Sequence, residues 1–249
     1  MFKSKKPKFS IITVVLNNEK TLEKTIKSVL NQSYRNFEYI IIDGGSSDRT
    51  LKIVKKYKKK INKFRSKKDR GIYDAFNKGM KLASGEYVCM VNSDDKLRKN
   101  ALRTISKYLN KYPNLDFIFG SVKKHWGVLH GYRPEKIRYS WGFYSSHSTG
   151  FYIKNSSAKK IGLYNLKYKY HADYDYFYRM IVHHKMKGMA TSDSEIVGDF
   201  GRGGFSSQQH YRKLLKEELK IRSDNGQNFI FVIFIALYKF IKHFKKIIK

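Results

Sequence analysis

Three short apolar runs, each stopping on polar or acidic residues, constrain the fold of this chain more than any other feature. Phe9-Ser10-Ile11-Ile12-Thr13-Val14-Val15-Leu16 breaks at Asn17-Asn18. Tyr39-Ile40-Ile41-Ile42 runs into Asp43-Gly44-Gly45-Ser46-Ser47-Asp48, and Tyr87-Val88-Cys89-Met90-Val91 ends on Asn92-Ser93-Asp94-Asp95. Short, nearly continuous apolar runs are the signature of strands buried on both faces. Between the first two, Leu22, Ile26, Val29 and Leu30 recur at helical spacing. A second helix pattern follows Asp48, where Ser47 or Asp48 can cap the helix and the glycines allow the turn. The order strand, helix, strand, helix, strand predicts an α/β protein with an open, mainly parallel sheet flanked by helices.

Packing does not ask for the acids that end these runs. Asp is a poor strand residue and is rarely buried without a partner. Ligands of open α/β sheets bind at the carboxyl ends of the strands, where two carboxylates can hold a divalent metal. For Asn92-Ser93-Asp94-Asp95 alone, a turn and helix cap before a helix over 97–109 is an equal alternative.

Five segments in order add a resemblance. Ser10-Ile11-Ile12-Thr13, Ser28-Val29-Leu30-Asn31-Gln32-Ser33-Tyr34, and Ile42-Asp43-Gly44-Gly45-Ser46-Ser47-Asp48-Arg49-Thr50 come first. Asp69-Arg70-Gly71-Ile72-Tyr73-Asp74-Ala75-Phe76-Asn77-Lys78-Gly79 and the stretch from Gly85 through Asp95 complete the set. Together they resemble family 2 glycosyltransferases of the GT-A fold, closest to bacterial enzymes that build surface polysaccharides. The likeness spans roughly 8–205. It implies a Rossmann-like sheet, a nucleotide-sugar-binding half at 8–110 and an acceptor-binding half at 111–225. It also implies a nucleotide-diphosphate sugar donor (UDP-linked), a divalent metal (Mn²⁺ or Mg²⁺), inversion at the anomeric carbon, and a glycan or polyprenyl-diphosphate-linked acceptor.

The same likeness implies roles for residues. Thr13, Glu19 and Asp43 surround the base and ribose, with Asp43 accepting from a uracil N–H. Asp69 and Asp74 belong to the next nucleotide-contacting motif. The usual Asp-x-Asp metal motif reads Asn92-Ser93-Asp94 here, with Asp94 the first ligand, Asp95 the second, and Asn92 and Ser93 beside the diphosphate. The chain departs from the family where Gly44 replaces a second acid and where Phe76 replaces an arginine, for which Arg70 can substitute. In His171-Ala172-Asp173-Tyr174-Asp175, Asp173 is the expected base, with helix capping as its alternative and Asp175 sharing the two tasks. His147 is placed near the diphosphate or acceptor, or else packs in the core. Arg202, in Gly198-Asp199-Phe200-Gly201-Arg202-Gly203-Gly204, either closes over the diphosphate as a lid or decorates a surface turn. Trp126, Trp141, Phe143 and Tyr144 either stack on sugars or fill the core. A polyprenyl-phosphate glycosyltransferase is one alternative. A non-catalytic nucleotide- or polysaccharide-binding relative is another, suggested by Asn92, Gly44 and Phe76.

The balance of 52 Lys+Arg against 20 Asp+Glu gives a net charge of +32. The lysines are spread along the chain, as on solvated helix faces, and no nucleic-acid-binding motif accompanies them, so no nucleic-acid partner is expected. A lone Cys89 suits a reducing compartment. Lysines before the first apolar run mimic a secretion signal, but that run is too short and lacks a cleavage site. The segment 226–249 differs: ten apolar residues from Phe229 to Tyr238 precede Lys239, Lys242, Lys245, Lys246 and Lys249. Crossing a bilayer takes about 20 residues. The expectation is therefore an amphipathic helical tail lying on an anionic membrane surface, on the cytoplasmic face. Docking on the core or on a second copy is the alternative.

Overall fold

The computed structural model describes residues 6–139, 144, 148–201 and 210–244. The first apolar run forms β1 (Phe9–Val15), buried at every position, and leaves Leu16 exposed beyond it. Helix α1 (Leu22–Leu30) follows, then β2 (Phe37–Asp43), α2 (Thr50–Lys56), β3 (Lys63–Ser66), α3 (Ile72–Leu82) and β4 (Tyr87–Met90). The chain continues through β5 (Lys96–Leu97), α4 (Ala101–Lys111), β6 (Phe117–Phe119), β7 (Ser121–Lys124), β8 (Gly127–Leu129), β9 (Phe151–Lys154) and α5 (Asn155–Ile161). It closes with α6 (Ala172–Tyr178), which runs on into a wider helical turn, β10 (Gly188–Ala190), β11 (Ile196–Asp199), α7 (Tyr211–Asp224) and α8 (Phe229–Lys242).

Seven strands form one sheet in the order β10-β6-β9-β4-β1-β2-β3. Only β9 runs antiparallel to its neighbours. Alternation along the strands divides the core. Ile12, Val14, Ile40, Ile42, Val88 and Met90 face one layer, which α3, α5 and α6 cover with Phe76, Ile161, Ala172 and Phe177. Ile11, Val15, Tyr39, Ile41, Tyr87 and Cys89 face the other, covered by Leu22, Ile26 and Val29 of α1 and by Leu102, Ile105 and Leu109 of α4. The expected α/β architecture is thus present, with helices on both faces.

Two sequence expectations need correction. The helix expected over 97–109 starts at Ala101, because Leu97 pairs antiparallel with Gly198 and Lys96 with Asp199. For the same reason Gly198 and Asp199 belong to a strand rather than a loop. They join a second sheet, ordered β5-β11-β7-β8, whose strand β5 directly follows the acidic end of β4 in the chain. At the opposite end of the large sheet, buried Glu38 accepts hydrogen bonds from Ser10 Oγ (2.5 Å), Ser84 N (2.6 Å) and Gly85 N (3.1 Å) and pairs with Lys63 (3.0 Å). One carboxylate thereby ties β1, β2, β3 and the turn before β4.

The C-terminal helices pack together. Val232 and Ile235 of α8 are buried, and Lys239 pairs with Glu218 of α7 at 2.5 Å. The rest of α8 leaves Phe229, Ile230, Phe234, Leu237 and Ile241 more than half exposed. No helix among the described residues is long and apolar enough to cross a membrane.

Candidate functional site

Asp43 ends β2 and is fully buried. Its Oδ2 accepts from Gly45 N (3.0 Å), Ser46 N (3.1 Å) and Ser66 Oγ (2.7 Å), whereas Oδ1 has one long contact, 3.4 Å from Ser46 N. Gly45 takes φ +93°, a left-handed turn that glycine allows at little cost. Over the neighbouring Gly44 lies the carboxylate of Asp69: a Cβ at position 44 would run into Asp69 Oδ2. Where the family resemblance implies a second acid at position 44, the Asp69 carboxylate occupies the space over the glycine. Burial raises the Asp69 carboxyl above the usual carboxylate range, and Gly71 N donates to its Oδ1 at 3.0 Å. Asp74 opens α3, where burial raises it but Lys78 (3.0 Å) and the Arg70 N–H (3.1 Å) outweigh that and hold it low.

Thr13 and Glu19 are already engaged within the fold. Thr13 is buried inside the sheet, its Oγ1 3.0 Å from the Tyr39 hydroxyl. Glu19 accepts from the Arg49 backbone N–H (2.8 Å) and pairs with its guanidinium (3.1 Å), which holds the carboxyl below its ordinary range. Asn17, Asn18, Ser46, Thr50 and Ser93 knit the strand ends together: Asn18 Nδ2 donates to Ser93 Oγ at 2.8 Å, and Asn17 N to Ser46 Oγ at 2.8 Å.

The four residues after Val91 divide their tasks. Asp95 is 1% exposed and accepts from Ser148 Oγ (3.0 Å), Thr149 Oγ1 (2.5 Å) and Gly201 N (2.8 Å). Burial pushes its carboxyl up to about 6. Held by three donors, Asp95 fastens the end of β4 to the segments before β9 and after β11. Asp94 is half-buried and raised by that burial, with its own backbone N–H as the opposing donor. Gly201 lies against it, so that a Cβ there would fall 2.6 Å from Asp94 Oδ2. Asn92 Oδ1 is buried without a hydrogen-bond partner among the described residues, a state that costs on the order of 1–3 kcal/mol. An oxygen-seeking cation is the kind of ligand that this carboxylate and this orphaned carbonyl suit. No cluster of three His, Cys, Asp or Glu poised for a metal occurs among the described residues. A cation here would therefore draw its remaining ligands from a bound anion and water.

Asp173 lies in the first turn of α6, 7% exposed. The Tyr73 hydroxyl is 2.9 Å from its Oδ1 and equally 2.9 Å from the Tyr170 carbonyl. Burial and then the nearby Asp173 carboxylate raise the Tyr144 hydroxyl well above its ordinary range. The cap position is His171, not Asp173. Asp175, the other acid, is taken up by Arg179 (3.0 Å) and Asn225 (3.0 Å). Sequence reasoning missed Tyr73 and Asn77. Asn77 exchanges two 2.9 Å hydrogen bonds with the Tyr164 backbone, so α3 is clamped to the second half at two points. Both lie four residues apart in Asp69–Gly79, and that helical spacing was the available signal. Phe76 between them is fully buried on the Tyr73 and Tyr164 rings, so an apolar contact stands where the family resemblance implies an arginine. Tyr144 packs on Phe119 and Phe177, whereas Trp126 is exposed. His147, Arg202, Trp141 and Phe143 lie outside the described residues.

Residues 10–189 match the family model described as glycosyl transferase family 2. The chain is 29% identical over 179 residues to a PGL/p-HBAD biosynthesis glycosyltransferase of Mycobacterium bovis, covering 68% of each. It is 40% identical over 118 residues to the poly(ribitol-phosphate) beta-N-acetylglucosaminyltransferase TarP of Staphylococcus aureus, 45% of this chain and 36% of that one. Among solved structures, S. aureus TarS 1-349 in complex with UDP superposes with a TM-score of 0.69 at 19% identity, covering 96% of this chain and 72% of that one. Against the longer TarS chain the match spans only 39% of its length. A Pyrobaculum calidifontis mannosyltransferase in complex with GDP-Man and Mn²⁺ superposes with a TM-score of 0.66 at 15% identity, covering 90% and 65%.

Proposed function

The chain belongs to glycosyl transferase family 2, and within that family we propose that it is a metal-dependent inverting transferase. It moves a hexosyl or N-acetylhexosaminyl group from a UDP-sugar to a glycan or lipid-linked acceptor in cell-surface polysaccharide assembly. The observation that carries this reading is the buried, unbonded side-chain oxygen of Asn92, two residues before the half-buried Asp94, just past the carboxyl end of β4. The TarS complexes with UDP and UDP-GlcNAc support the choice of donor.

Asp43 Oδ1 accepts from the uracil ring N–H, and Asp69, raised over Gly44, addresses the ribose. Asp94 and the Asn92 carbonyl hold the divalent cation, which when bound supplies positive charge opposite the departing diphosphate. Asp173 receives the acceptor hydroxyl proton as that oxygen bonds to the anomeric carbon and the bond from this carbon to the diphosphate oxygen breaks. One displacement inverts the centre. Tyr73 and Tyr144 orient the Asp173 carboxylate. Asp74, Ser93 and Glu19 shape the loops around the nucleotide and Thr13 supports them from within β1, while His147 and Arg202 are candidates for its diphosphate.

The exposed apolar side of α8 supports a peripheral place on a membrane and an acceptor carried by lipid. The buried lone thiol Cys89 suits the cytoplasmic side. The test is UDP release from a panel of UDP-sugars with Mn²⁺, on the wild type and Asp173→Asn. Turnover should fall at least about 100-fold in the variant while UDP affinity persists. Equal turnover would remove Asp173 from the reaction.

A further inference from the structure

Resting on the lipid-linked acceptor just proposed, we propose that the groove between α7 and α8 is the binding site for the hydrocarbon chain of a polyprenyl phosphate-type acceptor. The groove has a volume of about 680 Å³ and is walled by Leu214 and Leu215 of α7, Phe231, Phe234 and Tyr238 of α8, and Tyr139. That size lies within the roughly 300–1,000 Å³ of small-molecule sites. His171, the residue that opens α6 two positions before Asp173, also lines it.

Charge favours an anionic amphiphile. The carboxylate lining the groove, Glu218, is already bonded by Arg222 (2.7 Å) and Lys239 (2.5 Å). Lys242 also borders the groove and meets no carboxylate among the described residues; its ammonium donates to the Tyr238 hydroxyl at 3.1 Å. The lining is thus mostly apolar, with Glu218 neutralised and Lys242 as a cation that meets no carboxylate among the described residues, a match for a long chain ending in phosphate.

Continuity gives the chain a way in. Ile230, Ile233, Leu237 and Ile241 follow each other at three- and four-residue steps and form an exposed stripe that does not line the groove. A stripe seated in the interfacial region of a bilayer places the groove mouth beside the lipid, on the same helix. The groove wall is also tied to the reaction centre. Glu217 of α7 accepts three backbone N–H groups, from Lys169 (2.7 Å), Tyr170 (2.6 Å) and His171 (2.7 Å), and Asn225 bonds Asp175. A chain held against α7 therefore fixes its headgroup relative to the start of α6.

The experiment titrates farnesyl phosphate, below its micelle concentration, into the full chain by calorimetry, beside farnesol and inorganic phosphate. The variants are Leu214→Trp, which fills the groove with apolar volume, and Ile241→Glu, which charges the outer stripe. The expected result is saturable binding of farnesyl phosphate, weakened at least tenfold by Leu214→Trp and unchanged by Ile241→Glu. Ile241→Glu should instead lose partition onto phosphatidylglycerol vesicles. Undiminished binding to Leu214→Trp, an equal loss in Ile241→Glu, equal affinity for inorganic phosphate, displacement by phosphatidylglycerol at matched chain concentration, or burial of the groove in a dimer by sedimentation would each overturn the proposal. A Mn²⁺-dependent UDP thermal shift on the same samples separates this outcome from failure of the donor site, and its retention in Leu214→Trp shows that the variant is folded.

Discussion

Replacing Glu38 by Gln should destabilise the protein in a pH-dependent way. Burial alone would raise the Glu38 carboxyl, but donors from Ser10 and Ser84 and the Lys63 ammonium outweigh it and pull the pKa down to about 2 from an ordinary 4.5. A displacement of that size corresponds to about 3 kcal/mol. Lys63 is 36% exposed, so solvent screening reduces the expected loss to about 2 kcal/mol. A carboxyl held below its unfolded value stabilises the fold fully above about pH 4.5 and loses that contribution as pH falls toward 2. Glutamine keeps an oxygen for Ser10, Ser84 and Gly85 but turns an amide N–H₂ or a neutral oxygen toward Lys63. Urea unfolding of both proteins at pH 7, 4.5 and 3.5 isolates the effect, since other titrations cancel in the difference. The gap should be about 2 kcal/mol at pH 7 and smaller by at least a third at pH 3.5. A gap that is absent, or constant over that range, refutes the reasoning.

Tyr73→Phe removes a hydroxyl from a buried carboxylate. It should lower kcat about tenfold or more with little change in the KM for the donor, while costing about 1–3 kcal/mol in stability; an unchanged kcat would separate Tyr73 from the reaction. Gly201→Ala drives a Cβ within 2.6 Å of Asp94 Oδ2 and 2.8 Å of the Asp94 carbonyl. Overpacking of this kind costs about 1–3 kcal/mol, and Mn²⁺-dependent UDP binding should weaken at least tenfold. Wild-type melting and wild-type affinity together would show that the Gly201 contact is not needed.

What the sequence made legible follows the physics of each element. The three apolar runs read correctly as central strands because burial on both faces leaves little room for polar residues, and α1 declared itself through one apolar side. Helix α4 starts later than its apolar periodicity suggests because Lys96 and Leu97 pair with a strand about a hundred residues away, and no local periodicity reports such a partner. The same long-range pairing hid β11 inside what looked like a glycine-rich loop. Within the site, residue types located the acids but not their division of labour. Asp94 and Asp95 are adjacent in sequence, yet only three-dimensional packing supplies Asp95 with Ser148, Thr149 and Gly201 as donors. Likewise the sequence presents Gly44 as a lost acid, whereas in the fold the Asp69 carboxylate lies over it.

We assign Asp94 and the Asn92 side-chain carbonyl to a metal-assisted nucleotide-diphosphate site at the end of β4. This assignment is tested most directly by the thermal shift of the wild type and Asp94→Ala with a panel of nucleoside diphosphates, each with and without Mn²⁺. If that assignment holds, UDP stabilises the wild type only when Mn²⁺ is present, and Asp94→Ala abolishes this stabilisation without altering the melting of the nucleotide-free protein by more than a few degrees. Stabilisation by UDP that is indifferent to Mn²⁺ and survives in Asp94→Ala, or no stabilisation by any nucleotide, would contradict it.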